Sequence, residues 1–600
     1  MVTRSELLDK ARAQIDENIR SLKEKRNELA FISLLPPETL CRIFLLISTS
    51  PPPEHKGPQT RAAKVKAGFP GLLWYSLLTH VCCRWRAVAV GYPQLWLDIF
   101  ALPNGFMDEM LRRSSGAAIT LKISHSQTRS AGIPREVLDV LATHVARTRT
   151  LELRLSDMHM KTITTTMATI AAPELVTLRV EISTTNGLPA PPFNIPSSFF
   201  AGGTPRLRHV NLISCHVESQ SISLLNNLTH LTLHKTYPPF HFSISDLLSA
   251  LERSKGLEYL NLHNCITQPG GSTNVIVRLP RLLRLKVGNL APVCVDILSH
   301  IHFPDHTKVS LDFSFEEEDD VDPLLQLVAD QVHRAHAYWP ITGIHLSGPA
   351  LFSLQLFNDN GQPNSPSSDA SGPIFDCTCE IYEYRTDGAI FAMLASVYSQ
   401  ALPLAQVKEV IIQQVKFAPF QWADVLLQLP QVEKLVLREL WGFGLFEALS
   451  RVQSEPKSAA ESDGEGKLLP KLRILEMDEV TMDVTVTHPQ NLDSVSAFLQ
   501  WSQQWGVVGE TGDVAGVHLR KEMRFNRCVG VNEALVGFLT RSGIHVMIDD
   551  GEPGSGHADE DDEDDEDEDY VESGGDSDSS SEPDTDADVD ETDTDTDFYD

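Results

Sequence analysis

Three histidines and an aspartate crowd into HIHFPDH: His300, His302, Asp305 and His306. Imidazole and carboxylate are common zinc ligands, and histidines at i and i+2 on a strand would share a face. No cysteine or carboxylate set completes a recognisable site, so the cluster is read as structural. Cys377 and Cys379 are separated by a single residue, closer than usual zinc ligands, and they have no second pair. They read as strand or loop residues. Phosphate-loop, H-E-x-x-H, G-x-S-x-G and dinucleotide fingerprints do not occur, and GEGK at 464–467 lacks the spacing and the Ser/Thr of a phosphate loop. The expectation is a chain with no catalytic residues, no cofactor and no metal, leaving protein recognition as the chemistry to look for. A metal-dependent hydrolase at the histidine cluster would require a bound ion.

Charge narrows the partner class. Of 82 acidic residues, 27 follow position 548 with no Lys or Arg among them, so the first 548 residues carry a formal charge of about −5 rather than −32. A nearly neutral body argues against nucleic-acid binding, which needs a basic surface to release counterions. Nine scattered cysteines suit a reducing compartment. The charged start MVTRSELLDKARAQ has no signal-peptide core, and no run is long enough to span a bilayer. A soluble cytoplasmic or nuclear protein is expected. The last segment, 549–600, is too acidic and too poor in apolar residues to collapse, and is expected to be disordered. Ser579, Ser581 and Thr585 each precede an acid by three residues, which suits an acid-directed kinase.

The elements that would present a binding surface recur along 115–548. The pattern L-x-x-L-x-L appears at Leu175, Leu178, Val180, then at Leu207, Val210, Leu212, and at Leu228, Leu231, Leu233. It returns at Leu257, Leu260, Leu262 and at Leu282, Leu285, Val287, with weaker copies starting at Val407, Val432 and Leu472. Each copy supplies one short strand that cannot bury its apolar face alone, so stacking is required. The expected fold is α/β: an irregular leucine-rich-repeat solenoid with flexible segments near 358–374 and 453–467. Cys215 and Cys265 stand eight residues after the first leucine of their copies, where a small group bonds exposed backbone, so they are read as structural. Residues between the core leucines should line the concave side: Thr177, Arg179, His209, Asn211, His230, Thr232, Tyr259, Asn261, Arg284 and Lys286. From these, Arg179, His209, Asn211, Thr232, Tyr259, Asn261, Arg284 and Lys286 are the candidates for substrate contact.

Ahead of the repeats, Leu8, Ile15, Leu22 and Leu29 recur every seven residues. Residues 1–33 are read as a helix whose stripe either leans on the next domain or pairs two chains as a homodimer through 5–32. Then comes LLPPETLCRIFLLIS. Pro36 and Pro37 suit an opening turn, and Leu40, Ile43, Phe44 and Ile47 follow at helical spacing. After a Pro- and Gly-rich loop at 48–71, Trp74, Leu78, Val81 and Trp85 repeat that spacing and the helix stops near 91–93. Two or three such helices over 34–100 make a small bundle.

LPPETLCRIF followed by VCCRW and YPQLW resembles the F-box, the helical module that docks on the Skp adaptor of cullin-RING ubiquitin ligases. The matches are Leu35, Pro36, Glu38, Leu40, Ile43 and Phe44, then Val81, Cys82 and Trp85, then Pro93, Leu95 and Trp96. The long spacer is similar to that of the large F-box families of mushroom-forming fungi. The resemblance implies a non-catalytic substrate-recognition subunit, with an Skp-family adaptor and a cullin as partners and an unknown protein substrate on the repeats. It implies adaptor contacts by Leu35, Pro36, Glu38, Leu40, Ile43, Val81 and Cys82. The other reading is a leucine-rich-repeat interaction scaffold outside any ligase.

Overall fold

The computed structural model describes residues 4–49, 78–101 and 105–549 apart from internal segments, of which the longest are 359–372, 381–402, 452–467 and 508–520. Most of the expected insert at 48–71, nearly all of the two expected flexible segments and all but the first residue of the acidic tail fall outside the described residues. No helix among the described residues is long and apolar enough to cross a membrane.

Helix-forming charge and leucine at the start give α1 (Arg4–Glu28), followed by a tight turn at Phe31–Leu34 and α2 (Pro37–Thr49). The Pro36 carbonyl accepts from the Leu40 N–H at 3.1 Å, closing the first turn that proline tolerates. Leu40 and Phe44 point inward and are fully buried. The helix expected through Leu78, Val81 and Trp85 is not continuous. The chain leaves the helix at 80–82, and α3 (Cys83–Val90) starts afresh with Cys82 as its cap. The cause is local: extended Cys82 accepts the Trp85 N–H on its Sγ at 3.5 Å, satisfying a donor that an unbroken helix would have paired. Val81 is left outside the helix and exposed.

A second tight turn, Pro93–Trp96, leads straight into β1 (Asp98–Phe100) and α4 (Phe106–Arg113). Trp96 is fully buried, donates its Nε1–H to the Ala89 carbonyl at 2.8 Å, and lies 4.2 Å beneath the Arg113 guanidinium. One side chain thus joins α3 to α4. The strand order begins at Asp98, ahead of the first leucine pattern, because β1 pairs in parallel with β2 (Ile119–Ser124).

The first run of strands continues with β3 (Thr148–Leu155), β4 (Thr177–Ile182), β5 (Phe193–Ile195), β6 (His209–Ile213), β7 (Cys215–Val217) and β8 (His230–His234). Next come β9 (Tyr259–His263), β10 (Val277–Arg278), β11 (Arg284–Leu290), β12 (Ile301–His302) and β13 (Lys308–Ser314). The last are β14 (Gly343–Ser347), β15 (Leu351–Phe357), β16 (Phe375–Glu380), β17 (Glu409–Gln413), β18 (Lys434–Arg438), β19 (Ile474–Asp478), β20 (Glu522–Asn526) and β21 (His545–Asp549). Seventeen of them form one sheet, while β5 pairs with β7 and β10 with β12. The pairings run β1, β2, β3, β4, β6, β8, β9, β11, β13, β16, β15, β14, β17, β18, β19, β20, β21. All are parallel except at β15, which runs against both neighbours.

The chain between strands returns through helices: α5 (Arg135–His144), α6 (Asp157–Thr166), α7 (Ile244–Glu252), α8 (Ala291–His300) and α9 (Asp322–Tyr338), then α10 (Pro419–Leu427), α11 (Leu445–Arg451), α12 (Pro489–Val507) and α13 (Glu533–Arg541). Their apolar faces share one core with the strand leucines, each buried leucine contributing about 1.5–3 kcal/mol.

Two backbone devices recur. At strand entry, one carbonyl accepts the next two N–H groups across the gap: Val176 from Arg208 and His209, Arg208 from Thr229 and His230, Thr229 from Glu258 and Tyr259. At strand exit, a non-glycine residue turns left-handed: Ser214, Asn264, Gln414, Glu439, Glu479 and Arg527. Such a conformation costs on the order of 1 kcal/mol. Ser214, Asn264, Glu439, Glu479 and Arg527 give their N–H to a neighbouring strand, as Asn264 does to the Gly288 carbonyl at 2.7 Å, so the ladder gains one more rung there.

Replacing Trp96 by Ala should remove about 3–5 kcal/mol from the unfolding free energy. Urea unfolding would measure it, and limited proteolysis should cut α3 first; a loss within error of zero would contradict the role given to this indole.

Candidate functional site

Two surfaces remain once the core is assigned. The first is the entrance to the helical module. Its shape is set by Arg84, which donates one guanidinium N–H to the Ser33 carbonyl and another to the Leu35 carbonyl at 2.6 Å. The segment before α2 is thereby clamped to α3. Outside that clamp Phe31, Leu34, Leu46 and Val81 are exposed, Leu34 at 76 % and Val81 at 55 %. Pro36 and Glu38 are exposed beside them.

The expected adaptor contacts divide on this geometry. Pro36, Glu38 and Val81 stand on the surface; Leu35 and Ile43 are half-buried and pack against the core. Leu40 is corrected: at 0 % exposure it is a core residue, because the helix turns its i, i+4 pair with Phe44 toward Trp85, whose ring lies 5.0 Å from that of Phe44. Cys82 is the half-buried cap described above. Phe31, Leu34, Leu46 and Arg84 were missed by sequence reasoning. Arg84 carries no signal beyond its type, whereas the phase of α2 excludes Leu46 from the buried row and could have found it.

The stripe of Leu8, Ile15, Leu22 and Leu29 is exposed, while Glu24 on α1 meets Cys83 at the start of α3.

The second surface is the outward face of the sheet. Register sets the candidate residues in two straight rows. One reads Thr177, His209, His230, Tyr259, Arg284; the other reads Arg179, Asn211, Thr232, Asn261, Lys286. Nine of the ten are half-buried and Lys286 is exposed, while the leucines between them are buried. The rows interact internally. Thr177 Oγ1 is 3.2 Å from His209 Nδ1, the His209 and His230 rings are 4.4 Å apart, and His230 stacks on Tyr259 at 5.9 Å. Arg179 lies 3.8 Å from Glu152 on β3.

A third row, not singled out from sequence, runs His234, His263, Gly288, Asp312. His234 and His263 are 4.5 Å apart, and His263 Nε2 reaches Asp312 Oδ2 at 3.2 Å by lying across Gly288. A Cβ on Gly288 would sit 2.4 Å from the His263 ring, so glycine makes that reach possible. Extending each L-x-x-L-x-L copy by one residue would have found His234, His263 and Gly288, but not Asp312, whose strand carries none of those copies. Beyond β14 the face changes character: Ile411 and Val436 are buried at 4 % and 2 % although they stand between core positions. The polar lining is thus interrupted at β17 and β18 and returns on β19 and β20, where Glu476 and Arg524 are half-buried. The flanking charges form a ladder, Lys434 Nζ contacting Glu409 at 3.0 Å and Glu476 at 3.1 Å.

The chemically suggestive clusters disperse. His300 Nδ1 turns to the Asp296 carbonyl at 2.6 Å, His306 lies against the Tyr338 ring at 5.2 Å, and His302 is exposed on β12. Among the described residues no group of three or more His, Cys, Asp or Glu is placed to hold a metal ion. All nine cysteines are free thiols. Cys377 and Cys379 are buried on β16, where burial pushes the Cys377 thiol far above its usual range. Cys215 donates to the Ile213 carbonyl at 3.3 Å and is likewise held protonated by burial.

No family model matches the chain, and no curated protein matches it.

His209 and His234 are both held below the ordinary imidazole pKa, first by burial and then by a neighbouring imidazole, His230 and His263 respectively. Near pH 6 the unfolded chain therefore binds more protons than the folded one, and stability is lost as pH falls through about 6.5. Melting temperature should drop between about pH 7.5 and about pH 5.5, and the drop should shrink in the His209→Gln, His234→Gln double variant. Calorimetry at the two pH values checks it, and an undiminished drop would refute it.

Proposed function

We propose that the protein is a non-catalytic substrate-recognition subunit of a Skp-cullin-F-box type ubiquitin ligase. Its helical module is an F-box, and its sheet and helices are an irregular leucine-rich-repeat solenoid. The observation that carries the first part is the exposed set of Leu34, Pro36, Leu46 and Val81 on a module whose own core is already closed by Leu40 and Phe44. Such a set suits a groove contact with a helical partner. The repeat reading is supported by parallel strands in register, by one carbonyl serving two N–H groups at successive strand entries, and by the left-handed exit residue after strand on strand.

In this reading the two surfaces have separate partners. The module takes an Skp-family adaptor and through it a cullin; the polar rows on β4 to β11 take a protein substrate, from Arg179 and His209 through Tyr259 to Lys286. Direct attachment of the module to the sheet through Trp96 and β1 holds the two surfaces in one body. A fixed separation raises the effective concentration of substrate at a distant catalytic subunit, which is all a receptor has to do. The exposed stripe on α1 supports pairing of two copies through residues 5–32.

Co-expression of the full chain with an Skp adaptor, followed by size-exclusion chromatography with light scattering, tests the reading. A stable complex is expected, and the Leu34→Asp, Val81→Asp double variant should lose it by at least about tenfold in affinity while melting normally, because both side chains lie outside the core. Free adaptor beside folded wild-type chain would move the protein to the scaffold reading.

A further inference from the structure

The last strand leaves the ladder open. Among the described residues β21 pairs with β20 alone. His545 gives its N–H to the Lys521 carbonyl, and the Asp549 carbonyl accepts from the Arg527 N–H, both at 2.9 Å. A strand residue sends its N–H and C=O to one side and the next residue sends its pair to the other. His545, Met547 and Asp549 are therefore turned to β20, and the backbone groups of Val546 and Ile548 point to the far edge.

The side chains carry the same discontinuity. One core row runs Ile412, Leu437, Met477, Phe525, Ile548 in register. The first four are buried, Phe525 completely, whereas Ile548 is 47 % exposed. Residue type does not change along the row. What changes is the number of flanking strands, two for Phe525 and one for Ile548. Val546 is likewise half-buried where its counterpart Met523 is buried. An edge with apolar side chains and outward backbone groups is a template for one more strand.

Charge selects what that strand is. From Asp549 onward the sequence holds 27 acids and no Lys or Arg. A second copy joined at this edge would bring two such sequences to one seam, which like charge opposes, whereas a cationic segment is attracted. We propose that β21 accepts a basic extended segment of another protein as an added strand. Its backbone bonds to Val546 and Ile548, its alternate apolar side chains cover Ile548 on the helix side, and the Lys or Arg between them face outward near Asp549. The surface is separate from the helical module and from the polar rows on β4 to β11, and it stands whether or not the chain enters a ubiquitin ligase.

Fluorescence anisotropy of the full chain with labelled peptides of matched length, built on Lys-Val, Lys-Gly and Glu-Val repeats, tests this at physiological ionic strength. Lys-Val should bind at least about tenfold more tightly than Lys-Gly, which has the same charge without strand-forming apolar residues, and Glu-Val should bind more weakly than Lys-Val by a similar factor. Ile548→Pro removes an edge N–H without touching a bond to β20, and should weaken Lys-Val by at least about tenfold while leaving Lys-Gly unchanged. If Ile548→Pro melts early, Ile548→Asn alters only an exposed side chain and should weaken Lys-Val by at least about fivefold. Equal binding of Lys-Val and Lys-Gly would reduce the effect to acidic charge alone and overturn the inference, as would Lys-Val binding that survives both changes at Ile548. Light scattering tests the competing occupant: self-association of the wild-type chain that Ile548→Asn dissolves would give the edge to a second copy and likewise overturn it.

Discussion

The structure depends on in-register stacking of apolar pairs along a parallel ladder. A strand such as Leu231-Thr232-Leu233 buries two leucines toward the helices, but only because Val210 and Leu212 stand on one side and Leu260 and Leu262 on the other. The leucines of each strand help to cover those of the next. A slip of one residue would send every leucine to the opposite face, so the register is held by the same burial that it permits. The paired N–H donors at strand entry and the left-handed residue at exit extend this constraint to the turns, where backbone groups would otherwise be left without partners.

Everything on the outward face inherits that register. His209, His230 and Tyr259 are 50 residues apart from first to last, yet they form one row because their strands are locked in phase. The same locking lets His263 cross Gly288 to reach Asp312 on a strand that begins 45 residues later. The helical module takes part through Trp96: the turn that carries this indole runs directly into β1, so the exposed apolar residues of the module belong to the same folded unit as the polar rows.

Among the described strands of the sheet, the parallel order is broken at β15. β14, β15 and β16 form a meander within the sheet, turning one strand against all others and bringing Phe375 beside Val309. Such a break does not follow from the repeat rule, and a cavity beneath α9 lies at its edge. The outward face also changes there, from half-buried polar rows to the buried pair Ile411 and Val436.

Sequence alone determined the alternation, and with it the α/β class, the strand positions of the five strong copies, the phase of α2 and the separation of an acidic end from a nearly neutral body. These are local properties: period two, period 3.6 and charge density can be read within about ten residues. Cys215 and Cys265 were legible for the same reason, since their offset from the leucines repeats. What only the tertiary structure decided is which side of a helix is already satisfied and which distant strands become neighbours. Leu40 looks like an exposed ridge until Trp85 is packed against Phe44, and Cys82 looks like a contact until it caps α3. The meander at β14 to β16 keeps the leucine spacing, in Ile341, Ile344, Leu346 and in Leu351, Leu354, Leu356, but the reversal of β15 is visible only in its antiparallel pairing with β14 and β16. Gln331 reads as an ordinary helix-surface amide; enclosure, and the donation from Arg334 to its oxygen, are consequences of three-dimensional packing.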